Sequence, residues 1–278
     1  MKQVDPRAPD RIRFHYEVEK ALALKLKNAA PEERRKLYPL VYDELFARVT
    51  DHPMLTRKED PSSRAQSVEG QMRLLRPFLK SDFSFLEVGP GDCSLSFELC
   101  KFLRQVYGVD ISSSITSATD APTNFKLLLS DGIRIDLPAG SVDFAYSNQV
   151  MEHLHPDDAQ EQLKEIFRVL KPGAVYFCIT PHRFMGPDDV SMYFDEVATG
   201  FHLKEYTHGE LRTLFLAAGF RSFRSHAGIK GKYYFNIPIF PAIWLEFFLQ
   251  PLPYQLRKTL ATSPVLRNFL YIKLLATA

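Results

Sequence analysis

Phe85-Leu-Glu-Val-Gly-Pro-Gly-Asp-Cys-Ser94 is the stretch whose reading decides the fold. A mostly apolar run from Phe83 to Val88 is broken by Gly89-Pro90-Gly91, and Leu95, Leu99, Phe102 and Leu103 follow at helical spacing. That order predicts a strand, a tight turn and a helix. Glycines at 89 and 91 admit positive φ and let the backbone come close to a ligand. Amides at the helix start then face a cleft, where polar or charged groups bind well.

Upstream, Phe14, Val18 and Leu22 lie four apart and predict a helix over 14–30. Pro31, with Glu32 and Glu33 behind it, opens a second helix to about residue 50, with a kink or break expected at Pro39. A third helix covers about 64–79, after a polar linker over 57–63. Downstream, short apolar runs at 105–110, 125–129, 142–146 and 174–180 predict strands. A short helix is expected at 112–119 and a longer one at 157–171, where Leu163, Ile166, Phe167 and Leu170 share a face. Thr207-His-Gly-Glu210 is a capping-box pattern opening a further helix that ends at Gly219. Runs near 220–227 and 231–237 predict a hairpin. Strands alternating with helices imply an α/β, Rossmann-like, doubly wound, mostly parallel sheet, here of seven strands. The expected organisation is a helical cap over 1–63, a core over 64–230, and a last strand with an apolar, basic C-terminal extension over 231–278. Ligands of such sheets bind at the edge formed by the strand C-termini.

A formal net charge of +2 over 278 residues argues against a nucleic-acid partner. Cys93, Cys100 and Cys178 have no metal-type spacing, so no metal is expected, and a reduced, cytoplasmic setting fits. The N-terminus has no apolar signal-type region, and no run of about 20 apolar residues is free of charge and proline.

Four strand ends carry polar groups on one edge: Glu87 with the glycine turn, Asp110, Asp131, and Ser147-Asn148. A carboxylate at Asp110 can accept from a ribose diol, and one at Asp131 can accept from an adenine amino group. Three acids around a turn without a basic residue suit an adenosine ligand carrying positive charge better than one carrying phosphates.

This pattern resembles the class I S-adenosylmethionine-dependent methyltransferases, through LEVGPGDCS at 86–94, YGVDIS at 107–112, SDG at 130–132, SNQVMEHLHP at 147–156 and RVLKPGAVYFCITP at 168–181. The last two blocks look like the branch that modifies small metabolites, lipids and sugars. The resemblance implies S-adenosyl-L-methionine as cofactor. Gly89, Pro90 and Gly91 would pass under its methionine part, with Glu87 near the amino group. Asp110 would hold the ribose, Ile111 would pack on the adenine, Asp131 and Gly132 would read the adenine edge, and Ser147 and Gln149 would close the pocket near the sulfonium. Cys93 stands where the family usually has a third glycine, and Asp92 is a residue that tolerates unusual turn geometry. His153, His155 and His202 are the candidate bases, and capping or orienting the loop is the favoured reading of each.

The acceptor expected is a small molecule, a sugar or a lipid-linked molecule, with oxygen preferred as the receiving atom. Residues 233–278 have two readings. They pack on the N-terminal helices and complete the acceptor pocket, or they rest on a membrane as a basic, aromatic-bearing segment. Two other functions compete: a non-catalytic cofactor- or partner-binding protein, and an NAD(P)-dependent oxidoreductase, against which Ser94 stands at the dinucleotide motif's third glycine.

Overall fold

A computed structural model of the chain describes residues 5–55, 61–111, 121–229 and 233–278. The helix expected at 112–119, part of the polar linker and the tip of the expected hairpin lie outside the described residues. The N-terminal cap is α1 (Pro9–Asn28) and α2 (Pro31–Arg48). Each has a proline in its first turn, where the missing amide costs nothing. The helix α2 runs through Pro39 without ending, held by Tyr38, Val41 and Leu45, all buried on one side. Then come α3 (Pro61–Leu75), β1 (Ser84–Val88), α4 (Ser94–Cys100), β2 (Gln105–Asp110), β3 (Phe125–Leu129), β4 (Val142–Asn148), α5 (Pro156–Val169) and β5 (Leu170–Thr180). The capping box is formed as expected at α6 (His208–Ala218), where Thr207 accepts from the Glu210 amide and Glu210 reaches back to Thr207. The hairpin is β6 (Ser222–Ile229) and β7 (Tyr233–Pro238).

The sheet has eight strands, not seven, in the order β3-β2-β1-β4-β5-β8-β6-β7. Strands β3, β2, β1, β4 and β5 pair in parallel, as expected of a doubly wound sheet. The extra strand is β8 (Ile272–Thr277), which lies antiparallel between β5 and β6. It follows three short helices, α7 (Phe240–Leu249), α8 (Tyr254–Ala261) and α9 (Arg267–Leu270). In the sequence Ile272-Lys-Leu-Leu-Ala-Thr277 the period of two is blurred by adjacent leucines, and the run reads as more apolar tail. In the sheet the two leucines face opposite ways. Ile272, Leu274 and Ala276 join one core layer and Leu275 joins the other.

Those two layers are the faces of the sheet. On one, Leu86, Val88, Val109, Ala145 and Tyr176 pack with α1, α2, α5 and α6. On the other, Phe85, Val106, Phe144, Tyr146 and Phe177 pack with α3 and α4. The C-terminal helices do not chiefly cover the N-terminal cap. Leu249, Ala261 and Leu270 enclose Phe184 and Met185, at a turn just past the end of β5. No described helix is long and apolar enough to cross a membrane.

Candidate functional site

The parallel register sets the ends of β1, β2, β3 and β4 side by side. The Gly89 amide donates to the Val109 carbonyl at 2.8 Å, and the Ser130 amide donates to the Asp110 carbonyl at 2.8 Å. A Cβ on Gly89 would stand 2.6 Å from Val150 Cγ2, so the chain leaving β4 touches the glycine turn. Gly89, Asp110, Ser130 and Gln149 are thereby on one edge.

The turn itself departs from ordinary geometry at three alternate residues. Gly89 has φ 70° and Gly91 has φ 56°, while Cys93 takes the left-handed conformation at φ 60° and ψ 10°. A side chain in that region costs roughly 1–2 kcal/mol, which is the physical reason a glycine is the residue expected there. Asp92 does not take this role. Its Oδ1 accepts from the Ser94 amide at 3.1 Å, and Arg64 lies 3.2 Å from its Oδ2. The space above Gly91 is open, with no atom within 4 Å of a Cβ built there.

Glu87 is buried and accepts from Ser96 Oγ on α4 at 2.6 Å. Burial, with Asp92 and Asp110 nearby, pushes its carboxyl up to about 7. Asp131 is engaged in its turn: Oδ1 accepts from the amides of Ile133 and Arg134 at 3.0 and 2.9 Å, and Arg35 lies 4.0 Å from Oδ2. Gly132, at φ 92°, lies under Tyr38 and Ile111, 3.3 and 3.7 Å from where its Cβ would be. Ser147 is buried and bonded to Tyr176 at 2.7 Å. Gln149, with φ 60°, donates to the hydroxyl of Tyr271 at 2.7 Å.

A second group stands just past β4. Glu152 is fully buried; Oε2 accepts from Thr180 Oγ1 at 2.8 Å, and Oε1 has no partner among the described residues. Burial pushes Glu152 up to about 7. His153 and His202 stand edge to face beside it, with ring centroids 4.8 Å apart. His153 Nδ1 donates to the Phe201 carbonyl at 3.1 Å, and burial holds the imidazole down to about 3, so it is neutral. Burial opposes charge on His202 too, but the bond to Glu205 at 2.8 Å and the carboxylates of Glu152 and Asp189 outweigh it and raise it to about 9. His155 stands apart from the pair. It is the N-cap of α5, where its ring accepts from the Asp157 amide at 3.3 Å.

Sequence reasoning missed the residues that distant elements bring in. Tyr38 and Tyr42, four apart on α2, reach over the strand ends. The Tyr38 hydroxyl donates to Asp158 at 2.8 Å and accepts from the His155 amide at 2.9 Å. Tyr42 packs on Phe201 at 4.9 Å and on His153 at 6.2 Å, and Asp110 and Glu152 both act on its phenol, which burial raises well above its usual range. The only available signal was an aromatic pair at helical spacing, which reads as ordinary core. Thr180 and Tyr271 carried no signal at all.

Among the described residues, three groupings of histidines and carboxylates have donor atoms within 4.8 Å of one another: His15, Glu19 and His52; Glu152, His153 and His202; and His182, His208 and Glu246. In the third, Glu246 Oε1 already accepts from His182 and His208, each at 2.8 Å, and from the His208 amide at 2.6 Å. That carboxylate anchors α7 to the end of β5 and the start of α6. The first is likewise bonded within itself, His15 to Glu19 at 2.8 Å. A cavity of about 360 Å³ lies between α3 and α4, and one of about 680 Å³ lies beside α5, where Ser130 and Asp131 just past β3 form part of its lining.

A family described as a methyltransferase domain matches residues 86–178. A probable S-adenosylmethionine-dependent methyltransferase from Mycolicibacterium smegmatis is 31% identical over 136 residues, 49% of this chain and 51% of that protein. The chain thus matches about half the length of that curated relative. Among solved structures, a SAM-dependent methyltransferase from Archaeoglobus fulgidus matches with a TM-score of 0.50 at 19% identity, over 81% of this chain and 99% of the other. A putative methyltransferase solved with a methyltransferase activator from Haloferax volcanii matches with a TM-score of 0.50 at 17% identity, over 77% of this chain and 96% of the other. At these identities the structures speak to the fold.

The residues present fit the cofactor that such domains use. The open space over Gly91 leaves room for a ligand to approach the turn closely, and buried Glu87 offers a carboxylate without a basic partner among the hydrogen bonds of the described residues. Residues 86–178 match a methyltransferase domain, and the strand order and glycine turn around them are similar to those of the class I, S-adenosylmethionine-dependent methyltransferases.

Proposed function

We propose that this protein transfers a methyl group from S-adenosylmethionine to a hydroxyl oxygen of a small or lipid-linked acceptor. The observation that carries this reading is Glu152: a fully buried carboxyl just past the end of β4, held by Thr180 through one oxygen and, among the described residues, unpartnered at the other, with its pKa raised to about 7.

When bound, S-adenosylmethionine supplies a methyl group on a sulfonium sulfur whose departure leaves a neutral thioether. Little covalent help is then needed from the protein, and positioning supplies up to about 7–11 kcal/mol in favourable cases. Gly89, Pro90 and Gly91 form the floor, with Gly91 leaving room for close approach. Glu87 pairs with the ammonium of the methionine part, and Asp110 accepts from the ribose. Ile111 and Gly132 offer an apolar surface to the adenine under Tyr38. Asp131 holds that turn, which is a positioning role given its bonds to the amides of Ile133 and Arg134. Ser147 and Gln149 line the side toward the acceptor, where Tyr271 fixes Gln149.

At Glu152 Oε1 the proton of the acceptor hydroxyl is taken up as the new C–O bond forms. A base with a pKa near the working pH is well matched to that task. His153 is too weakly basic and His202 is already protonated near neutrality, so both serve to shape and charge the pocket around Glu152. Tyr42 and Phe201 exclude water from it.

Calorimetric titration tests the cofactor and labelled turnover tests the reaction. S-adenosylhomocysteine binds and NADP does not; the opposite result removes the reading in favour of an oxidoreductase. Asp110→Ala weakens binding by about 10–100-fold through loss of charged hydrogen bonds. Methyl label from the cofactor enters a base-stable methyl ether product in a cell extract. Cofactor binding without any label transfer identifies a non-catalytic member instead.

A further inference from the structure

The helix α7 is apolar on both sides. Its inward face is Ala242, Glu246 and Leu249, which are buried. Its outward face is Phe240, Trp244, Phe247 and Phe248, at spacings of four, three and one, and these are 54%, 64%, 72% and 62% exposed. A helix packed on one side of a water-soluble domain carries polar residues on the other. Four adjacent exposed aromatic rings on one helix mark an interaction surface.

Charge indicates what covers it. Residues 233–278 contain one acid, Glu246, and four basic residues, Arg257, Lys258, Arg267 and Lys273. Glu246 is turned inward and bound by His182 and His208, so it contributes no negative charge to the outer face. Arginines stand at both ends of the aromatic row. The Arg212 guanidinium lies 5.6 Å from the Phe240 ring, and Arg257 donates to the Gln250 carbonyl at 3.0 Å, one residue past the end of α7. An aromatic strip flanked by cations and cleared of acids is complementary to an anionic lipid surface, where rings sit at headgroup depth and arginines meet phosphates.

Position adds a third argument. Through Glu246 the helix is fastened to His182, two residues past the end of β5, and to the start of α6. It therefore lies on the side of the sheet where the strands end and the site is built. The same C-terminal segment sends Tyr271 to Gln149 within the site.

We propose that α7 is a membrane-docking element, lying flat on an anionic bilayer with Phe240, Trp244, Phe247 and Phe248 in the interface. The protein then meets a lipid-borne molecule with its ligand edge beside the bilayer. This surface is independent of the methyl-transfer reading, because binding to vesicles needs neither cofactor nor acceptor.

Trp244 is the chain's single tryptophan, so its fluorescence reports on this face alone. The full chain is mixed with vesicles of phosphatidylcholine, or of phosphatidylcholine with phosphatidylglycerol. With the anionic vesicles the protein floats, Trp244 emission shifts to the blue, and brominated lipid quenches it. Raising the salt weakens binding. The variant F247S/F248S, whose side chains are too exposed to support the fold, keeps its thermal midpoint and binds roughly tenfold or more weakly, as expected for loss of two interfacial rings. Three results overturn the proposal: no flotation of the unmodified chain, equal binding to both vesicle types, or undiminished binding by the variant. A concentration-dependent dimer that is lost in F247S/F248S, without vesicle binding, assigns the face to a second copy and likewise overturns it.

Discussion

Thr180 Oγ1, at the last residue of β5, donates a 2.8 Å hydrogen bond to Oε2 of Glu152, just past the end of β4. The bond crosses between two neighbouring strand ends and leaves Oε1 as the carboxyl's free oxygen among the described residues. Replacing Glu152 by Gln keeps the shape and removes the base. Turnover falls by about 10²–10⁴-fold, the usual contribution of a general base, while affinity for S-adenosylhomocysteine changes little. The ionised form is the active one and burial pushes the group up to about 7, so the turnover of the unmodified enzyme rises with pH through that region and levels above it. The glutamine variant loses that rising limb. Equal turnover in the variant would show that Glu152 only supports its loop.

Glu87, the proposed partner of the cofactor's ammonium, also bears on stability. Its folded pKa is raised to about 7 by burial, above the ordinary value of 4.5. The folded state therefore holds the proton more tightly than the unfolded state, and the ligand-free protein loses stability as pH rises from about 4.5 to about 7. Glu87→Gln raises the thermal midpoint of the ligand-free protein at pH 8 and changes it little at pH 4.5. The same change weakens cofactor binding by about 10–100-fold, through loss of a charged hydrogen-bond acceptor. In the unmodified protein, affinity increases as pH rises toward 7, since an arriving ammonium favours the ionised carboxyl. Calorimetry and thermal melts across pH check all three.

Gly89 and Gly91 separate fold from binding. A Cβ at Gly89 meets Val150 Cγ2 at 2.6 Å with φ at 70°, so Gly89→Ala destabilises by about 2–4 kcal/mol from strain and crowding together. Val150→Ala in the same chain recovers part of that. At Gly91 a Cβ meets nothing within 4 Å, so Gly91→Ala costs only about 1–2 kcal/mol of backbone strain and yet abolishes cofactor binding by filling the cradle. Denaturant titration and ligand titration on the two variants distinguish these effects.

His155→Ala loses the cap of α5, at about 0.5–2 kcal/mol of stability. Turnover is unaffected, because the imidazole is bonded to the Asp157 amide and stands apart from Glu152, His153 and His202. A tenfold loss of turnover at full cofactor affinity would return His155 to the reaction.

Removing residues 272–278 prevents folding, because β8 lies inside the sheet with β5 on one side and β6 on the other. The shortened chain shows no cooperative thermal transition by circular dichroism. A cooperative transition would show that β8 is dispensable.

The strand, turn and helix around Gly89-Pro90-Gly91, the four following strands and the acids Glu87, Asp110 and Asp131 at the ends of the first three strands were legible in the chain itself. Their signals are local: turn residues fix backbone dihedrals, and a period of two or 3.6 sets which side chains share a face. The family resemblance rests on those same local blocks, all within 86–181. The last strand was not legible, since six residues with adjacent leucines pair only with partners about 50 and 100 positions away. Nor was the division of labour among Glu152, His153, His155 and His202. Whether each is charged depends on burial and on neighbours such as Thr180, Phe201 and Glu205, which come from other elements. Local sequence determined the backbone scaffold and the glycine turn. Tertiary packing decided which carboxyl is left with a free oxygen in a dry pocket, because desolvation belongs to the assembled environment and not to any one segment.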